Sequence, residues 1–378
     1  MNNLKKFELK TELLLKGLYL DPKLMDFYKE NNITSGRKGG AGPLGGKYFL
    51  LEDDHTLVNA ALWDNQKKSN LLLKSKRESY YLIENLDTGE EFGKVKLVED
   101  PKYYNPEFKT SDNIEMKRIA LVHGIDCLAT TIYQKCKYWA CGEACKFCGI
   151  ELSLNYNTTI LEKSAQQISE VITIAKKEGR CSHMTLTSGT TEDKDKGAER
   201  YINILKGLKK AHPEIPLHIQ IEPLEELNYL EKLKNAGADT VGIHIEILDD
   251  RIRKNITPGK YNLPYTLFEK NWKKAIKIFG RNQVETFILT GFGEEKNELI
   301  RKIKKITQLG VIPFVTPVRS IPGRNDNRKQ TNLKDLLDIY LKVAEFMKKY
   351  EINPLKNKAG CVRCGGCSAI KEAFKAIS

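Results

Sequence analysis

Leu128-Ala-Thr-Thr-Ile-Tyr-Gln134, followed by Lys-Cys136-Lys-Tyr-Trp-Ala-Cys141-Gly-Glu-Ala-Cys145-Lys-Phe-Cys148-Gly149, decides how the rest of the chain is read. The first part is a short apolar, β-branched run. The second crowds Cys141, Cys145 and Cys148 into eight residues. From this strand onward, further strand candidates recur at Met184–Ser188, Leu217–Glu222, Thr240–Ile247, Val284–Thr290 and Ile312–Val318. Amphipathic helical patterns lie between them, as at Ser164–Lys177, Leu224–Ala236 and Lys296–Leu309. Six strand–helix units predict a parallel sheet with right-handed crossovers, in an open sheet or a partial barrel. Runs without alternation, such as Phe287–Leu289, fit a sheet covered on both faces.

Residues 1–117 do not share this rhythm. Asp21-Pro22 is a helix start, with Asp as cap and Pro at the first helical position. A glycine-rich loop, Gly36–Gly46, leads to short strands at Lys47–Glu52, Thr56–Leu62 and Tyr80–Glu84, with Asp87-Thr-Gly-Glu90 as a turn. The expected division is a small α+β region over 1–117, an α/β unit over 118–330, and a helix with a Cys-rich tail over 331–378. The tail helix is expected over Asn332–Tyr350. The Gly36–Gly46 loop reads as a flexible connection or as an anion-binding nest of backbone N–H groups. Arg319 and Arg324 read as carboxylate holders or surface charges.

Composition narrows the class. With 40% hydrophobic and 29% charged residues, the chain has the make-up of a folded soluble protein. Its most apolar segment, Arg118–Tyr133, is broken by His123 and Asp126, so no membrane span is expected. Met1–Lys16 mixes Lys and Glu with apolar residues and lacks the pattern of a secretory signal. The formal charge of +13 suits an anionic partner. The Lys residues are spread along helices and no base-reading motif is present, so nucleic acid is the lesser option. Of nine cysteines, six fall in two tight sets, Cys141/Cys145/Cys148 and Cys361/Cys364/Cys367. Such spacing in a long chain argues for metal rather than disulfides, and for a reducing, oxygen-poor, cytoplasmic setting.

Three thiolates in one short loop can hold three irons of a [4Fe–4S] cube and leave the fourth open to a non-protein ligand. Zinc would want a fourth Cys or His in a matching pair, and none follows nearby. The C-x3-C-x2-C loop, with Phe147 before its last Cys, resembles the signature of the radical S-adenosylmethionine (SAM) superfamily. Cys136 is an alternative to Cys141, through the longer spacing Cys136-x8-Cys145. The resemblance covers about residues 118–325 and implies a partial (β/α) barrel, a [4Fe–4S] cluster and SAM. It also implies SAM contacts at strand ends: Phe147 in the loop, Ser188, Gly189 and Thr190 in place of the usual Gly-Gly-Glu, and Glu222 after the third strand. Glu246, in Gly242-Ile-His-Ile-Glu246, resembles the ribose-binding carboxylate of lipoyl and biotin synthases. His244 is either a substrate-facing side chain or a satisfied core histidine. Gly291 and Gly293 resemble the adenine-contacting turn.

The tail, Gly360-Cys361-Val-Arg-Cys364-Gly-Gly-Cys367-Ser368, suits a second [4Fe–4S] cluster. Its fourth ligand is open among Cys127, Cys136, Ser368 and substrate. The tail is expected to fold across the open mouth of the barrel. Asp250–Gly259, Gly39–Pro43 and the Cys-rich tail resemble two groups: the split, two-protein lipoyl synthase of archaea and anaerobes, and a radical SAM family encoded beside nitrilases. The resemblance implies radical cleavage of SAM and sulfur insertion into an unactivated C–H of an octanoyl group. The expected partners are an acidic octanoylated carrier protein, a low-potential donor such as ferredoxin or flavodoxin, and a second radical SAM protein. The alternatives are modification of a small nitrogen-containing metabolite with the tail cluster relaying electrons, and a two-cluster electron-transfer protein.

Overall fold

The fold comes from a computed structural model, which describes residues 2–30, 46–77, 79–319, 329 and 331–377. The anion-nest reading of Gly36–Gly46, apart from Gly46, and the reading of Arg324 lie outside the described residues.

The chain starts with helix Asn3–Lys16, capped by the Asn2 side chain, which accepts from Lys5 N–H. Its inward face, with Phe7, Leu13 and Leu14, is buried. The α+β region that follows is a closed six-stranded barrel, sharper than the sequence reading. Its strands are β1 (Leu18–Leu20), β2 (Gly46–Leu51), β3 (Leu57–Trp63), β4 (Leu71–Arg77), β5 (Tyr80–Asn85) and β6 (Glu90–Leu97). They close in the order β1-β3-β2-β6-β5-β4, because β1 pairs in parallel with both β3 and β4. Closure leaves no open edge to pair with another chain.

The second unit is a curled sheet of β7 (Leu121–His123), β8 (Cys127–Thr131), β9 (His183–Thr187), β10 (Leu217–Gln220), β11 (Thr240–Gly242), β12 (Val284–Thr290) and β13 (Ile312–Pro317). They lie side by side in chain order, β8 to β13 all parallel. This is the expected six-unit half-barrel plus one antiparallel strand, β7, hairpinned onto β8.

Register assigns the two faces. Leu128, Met184, Leu186, Leu217, Ile219 and Val241 point outward into a helix-covered core. The opposite face carries Cys127, Thr185, His218, Gln220, Thr240, Glu285 and Phe287 in neighbouring registers. The inner wall is therefore polar with an aromatic patch, Phe287 stacked on Phe314 at 4.9 Å. Outside, helix Ala165–Lys177 starts on a capping box between Ser164 and Gln167. Trp272 of helix Tyr265–Phe279 is fully buried and donates to Ile243 O at 2.9 Å.

One expected strand is cut short. The run Thr240–Ile247 pairs only to Gly242, and Glu246 rejoins the sheet by a single bridge to Ile288 with φ +55°. That left-handed backbone is costly for a residue with a Cβ, and here it turns the Glu246 side chain out of the strand alternation.

The tail departs from expectation. After helix Leu333–Lys349 the chain crosses to the N-terminal ends of the half-barrel strands, opposite the mouth it was expected to cover. Ala359 O accepts from Thr240 Oγ1, Gly360 N–H donates to His183 Nδ1, and Val362 N–H donates to Glu285. The N-terminal barrel closes over it. Asn59 N–H donates to Gly366 O at 2.7 Å, and Arg319 reaches across to Asn59. Lys10, fully buried, pairs with Glu372 at 2.8 Å and donates to Gly365 O.

Candidate metal centre

The cysteine loop leaves the C-terminal end of β8, where ligands bind in parallel α/β sheets because the loops there are free to vary. Two neighbouring loops fix it. Gly189 N–H donates to Tyr133 O at 2.8 Å, and Lys137 N–H to Thr190 O at 2.8 Å. Gly189 lies so close that a Cβ there would stand 1.8 Å from Lys135 O. The glycine is a steric requirement of this crossing. Ser188 turns its hydroxyl onto Gly189 O at 2.9 Å.

Glu222 pins the loops together. It accepts from Tyr138 Oη at 2.9 Å, Thr190 Oγ1 at 2.9 Å and Lys196 Nζ at 3.0 Å. Burial pushes its carboxyl up, but the Lys196 and Lys260 charges outweigh this and hold it below the usual range. Its oxygens are thus already engaged by the protein. The ribose-side candidate Glu246 differs. Burial raises its carboxyl, against the opposing Lys260 charge. Lys260 Nζ donates to Oε1 at 2.7 Å, while Oε2 is buried without a protein partner. A buried, unpaired carboxylate oxygen costs free energy unless a ligand donor meets it, and ribose hydroxyls are such donors.

His244 is neutral by burial and stacks on Phe287 at 4.1 Å. Its Nδ1 accepts from Phe287 N–H, which leaves the proton on Nε2. That Nε2 has no protein acceptor. The histidine is therefore only half satisfied, and it offers one donor to the interior. Phe147 packs with Phe292 at 6.4 Å, in a small cluster with Ile247 and Ile256. Phe292 sits between Gly291 (φ +110°) and Gly293 (φ +90°), whose backbone only glycine adopts readily. Glu294 folds back to accept from Gly291 and Phe292 N–H.

The cysteines divide in an unexpected way. Cys136, Cys145 and Cys148 lie within electrostatic reach of one another and of Lys260. Cys141 is exposed, with Tyr138 O at 3.8 Å and Glu143 Oε2 at 3.9 Å from its sulfur. In the tail, Cys361, Cys364 and Cys367 gather under Tyr48 of β2, with Cys127 beside them. Gln220 Nε2 reaches the Cys361 sulfur at 3.6 Å. Contact with the Cys127 thiol brings Cys364 down to about 7.

Among the described residues no group of three or more His, Cys, Asp or Glu stands close enough to share one metal ion. An iron–sulfur cube asks something different, since each thiolate takes its own iron. The cysteine thiols of the loop and the unpaired Glu246 oxygen suit a cube and its nucleotide.

The radical SAM superfamily profile matches residues 139–307. Those residues are a radical SAM domain, and that superfamily implies one [4Fe–4S] cluster and SAM. The matched span includes Cys141 and leaves out Cys136. The chain is similar to a 5-amino-6-(D-ribitylamino)uracil–L-tyrosine 4-hydroxyphenyl transferase of Methanosarcina acetivorans, 29% identical over 206 residues, 49% of each chain. It is 26% identical over 232 residues to the bacteriochlorophyllide c C-7(1)-hydroxylase of Chlorobaculum limnaeum, covering 56% of this chain and 57% of that one. It is 25% identical over 166 residues to the lipoyl synthase of Karelsulcia muelleri, covering 43% and 54%. The chain spans about half the length of these curated relatives. Among solved structures, methylornithine synthase superposes with a TM-score of 0.47 at 17% identity, over 66% of this chain and 70% of that one. No helix among the described residues is long and apolar enough to cross a membrane.

Glu246→Gln should weaken SAM binding by about 10- to 100-fold, the worth of a hydrogen bond to a charged group. Equilibrium binding of SAM to the reconstituted protein checks this. Unchanged affinity would place the ribose elsewhere.

Proposed function

We propose that this chain inserts sulfur into an unactivated C–H bond of an octanoyl chain carried on an acidic protein domain. The observation behind this reading is the placement of the two cysteine sets. The SAM loop leaves the C-terminal end of β8, and the tail set lies along the inner wall from the N-terminal end of β8, beside Cys127, to Thr316 of β13. The length of β8 between them is about 13 Å at the ordinary strand rise. A substrate lying along that wall would have the nucleotide at one end and the tail thiols at the other. When bound, the loop cluster supplies the electron that splits SAM into methionine and a 5′-deoxyadenosyl radical, and the tail cluster supplies the sulfur.

The chain's own residues do the positioning. Phe287 and Phe314 give the wall an apolar patch suited to an acyl chain, and His244 Nε2–H offers a donor beside it. The charge of +13 favours an acidic carrier. The experiment is mass spectrometry of the anaerobic reaction of octanoylated carrier protein with SAM and a reductant. The expected result is 5′-deoxyadenosine together with an acyl chain that has gained sulfur.

A second reading is favoured by two observations. The first relative reported above is named for a ribitylaminouracil substrate. In addition, a cavity of about 200 Å³ lined by Lys6, Lys10, Lys371 and Lys375, with Asp53 and Glu372 paired to the first two, reaches Cys364 from outside. An acidic electron donor such as ferredoxin or flavodoxin could dock there, with the tail cluster relaying electrons to a reaction on a small nitrogen-containing metabolite. 5′-Deoxyadenosine without sulfur in the acyl chain would favour this reading.

A further inference from the structure

We infer that Cys127 is the fourth protein ligand of the tail cluster, closing a four-thiolate site with Cys361, Cys364 and Cys367. This rests on the proposed second cluster and supplies its missing ligand.

Space removes the rival residues. Cys136 lies past the other end of β8, with its N–H on Glu151 and its thiol near Cys145 and Cys148. Ser368 is fully buried, donates to Val315 O at 2.5 Å and accepts from Ile370 N–H at 3.3 Å. Its hydroxyl is fixed to the backbone of β13.

Cys127 meets the requirements. It is the first residue of β8, and its register places it on the inner wall beside His183 of β9 and opposite His123 of β7. Its sulfur lies 3.5 Å from Thr185 Oγ1, and the neighbouring Cys364 thiol, together with burial, pushes the Cys127 thiol up. Cys364 lies 3.8 Å from His123 O, the carbonyl of the residue paired with Cys127. A Cβ on Gly124 would stand 3.4 Å from the Cys364 sulfur, so the turn between β7 and β8 packs directly on this thiol. Burial, and behind it the charge of all four sulfurs, pushes the Tyr48 hydroxyl up.

A buried cysteine is more often a small hydrophobe. Against that, this one faces three other thiols on a polar wall, where an apolar side chain would serve packing alone. The surroundings also suit the charge. A cube held by four thiolates is an anion, and Lys10, Lys371 and Arg319 lie close to Cys364 and Cys367. Four protein ligands leave no iron open, so SAM would bind only at the loop cluster. This division between the two clusters follows from ligand number alone.

The test uses the full chain carrying Cys145→Ala and Cys148→Ala, so that only the tail can hold iron. After anaerobic reconstitution this parent should hold about four irons, and the EPR spectrum of its reduced cluster should ignore added imidazole. Adding Cys127→Ala should either lose most of that iron or give a cluster whose spectrum shifts with imidazole, the mark of an opened iron. Cys127→Ser, which keeps a ligating atom at the same size, should retain the iron with an altered spectrum and so separates ligation from folding. Cys127→Ala and Cys127→Ser proteins with the parent's iron content, parent's spectrum and no response to imidazole would overturn the inference. A parent that holds no iron would instead overturn the second cluster itself.

Discussion

Cys145→Ala or Cys148→Ala should bring 5′-deoxyadenosine formation to background, the largest single-residue effect expected in this protein. Both thiols sit in the loop at the C-terminal end of β8, next to Lys260 and the Glu246 carboxyl. Two thiolates would no longer hold a cube there, and the open iron for SAM would be lost with it. The third ligand is settled in the same assay. The matched superfamily span and the C-x3-C-x2-C spacing favour Cys141. The arrangement in space groups Cys136 with Cys145 and Cys148 and leaves Cys141 exposed. Cys141→Ala and Cys136→Ala, compared side by side, should give one inactive and one active protein. We expect Cys141→Ala to be inactive, and the reverse would move the ligand to Cys136.

Replacing Cys361, Cys364 and Cys367 together by Ala should have an equally large effect on a different step. Iron should fall from about eight to about four per chain. SAM cleavage should continue, because the loop cluster lies at the far end of the strands and keeps its own ligands. Sulfur-bearing product should disappear. Iron analysis, 5′-deoxyadenosine and product mass on one preparation check all three. A triple variant that still forms thiolated product would remove the tail from the chemistry.

Much of this was legible in the sequence because the chemistry is local. Val284–Thr290 is the strand as read, four others differ by one to three residues at an end, and Thr240–Ile247 stops at Gly242. The cysteine loop was visible as a spacing. What escaped depends on contacts between distant segments. β4 and β6 were missed because charged residues break their apolar pattern, Lys74 in β4 and Glu90, Glu91, Lys94 and Lys96 in β6. The Thr240–Ile247 run looked like one strand, since nothing local announces the left-handed backbone at Glu246. Lys260 and Lys196 gave no signal. Their partners, Glu246 and Glu222, are 14 and 26 residues away.

The tail was read correctly as a cysteine set and placed at the wrong end of the barrel. Its position is set by His183, Thr240 and Glu285, polar residues at strand starts that the sequence offers only as breaks in apolar runs. The N-terminal barrel had no readable role. In the structure Tyr48, Asn59 and Lys10 bring it against the tail cysteines, and the cavity that reaches Cys364 opens between the N-terminal unit and the tail.

Isotopic sulfide gives the most direct test of the proposed sulfur chemistry. Both clusters are built with heavy sulfide, unbound sulfide is removed, and the protein reacts once with SAM, reductant and octanoylated carrier protein. A donor must stand near van der Waals contact with the carbon radical, and each turnover consumes it. The expected result is about one thiolated product per chain, carrying the heavy isotope. Product without the label, or many turnovers with the tail cluster intact, would contradict sulfur donation and make the tail an electron relay.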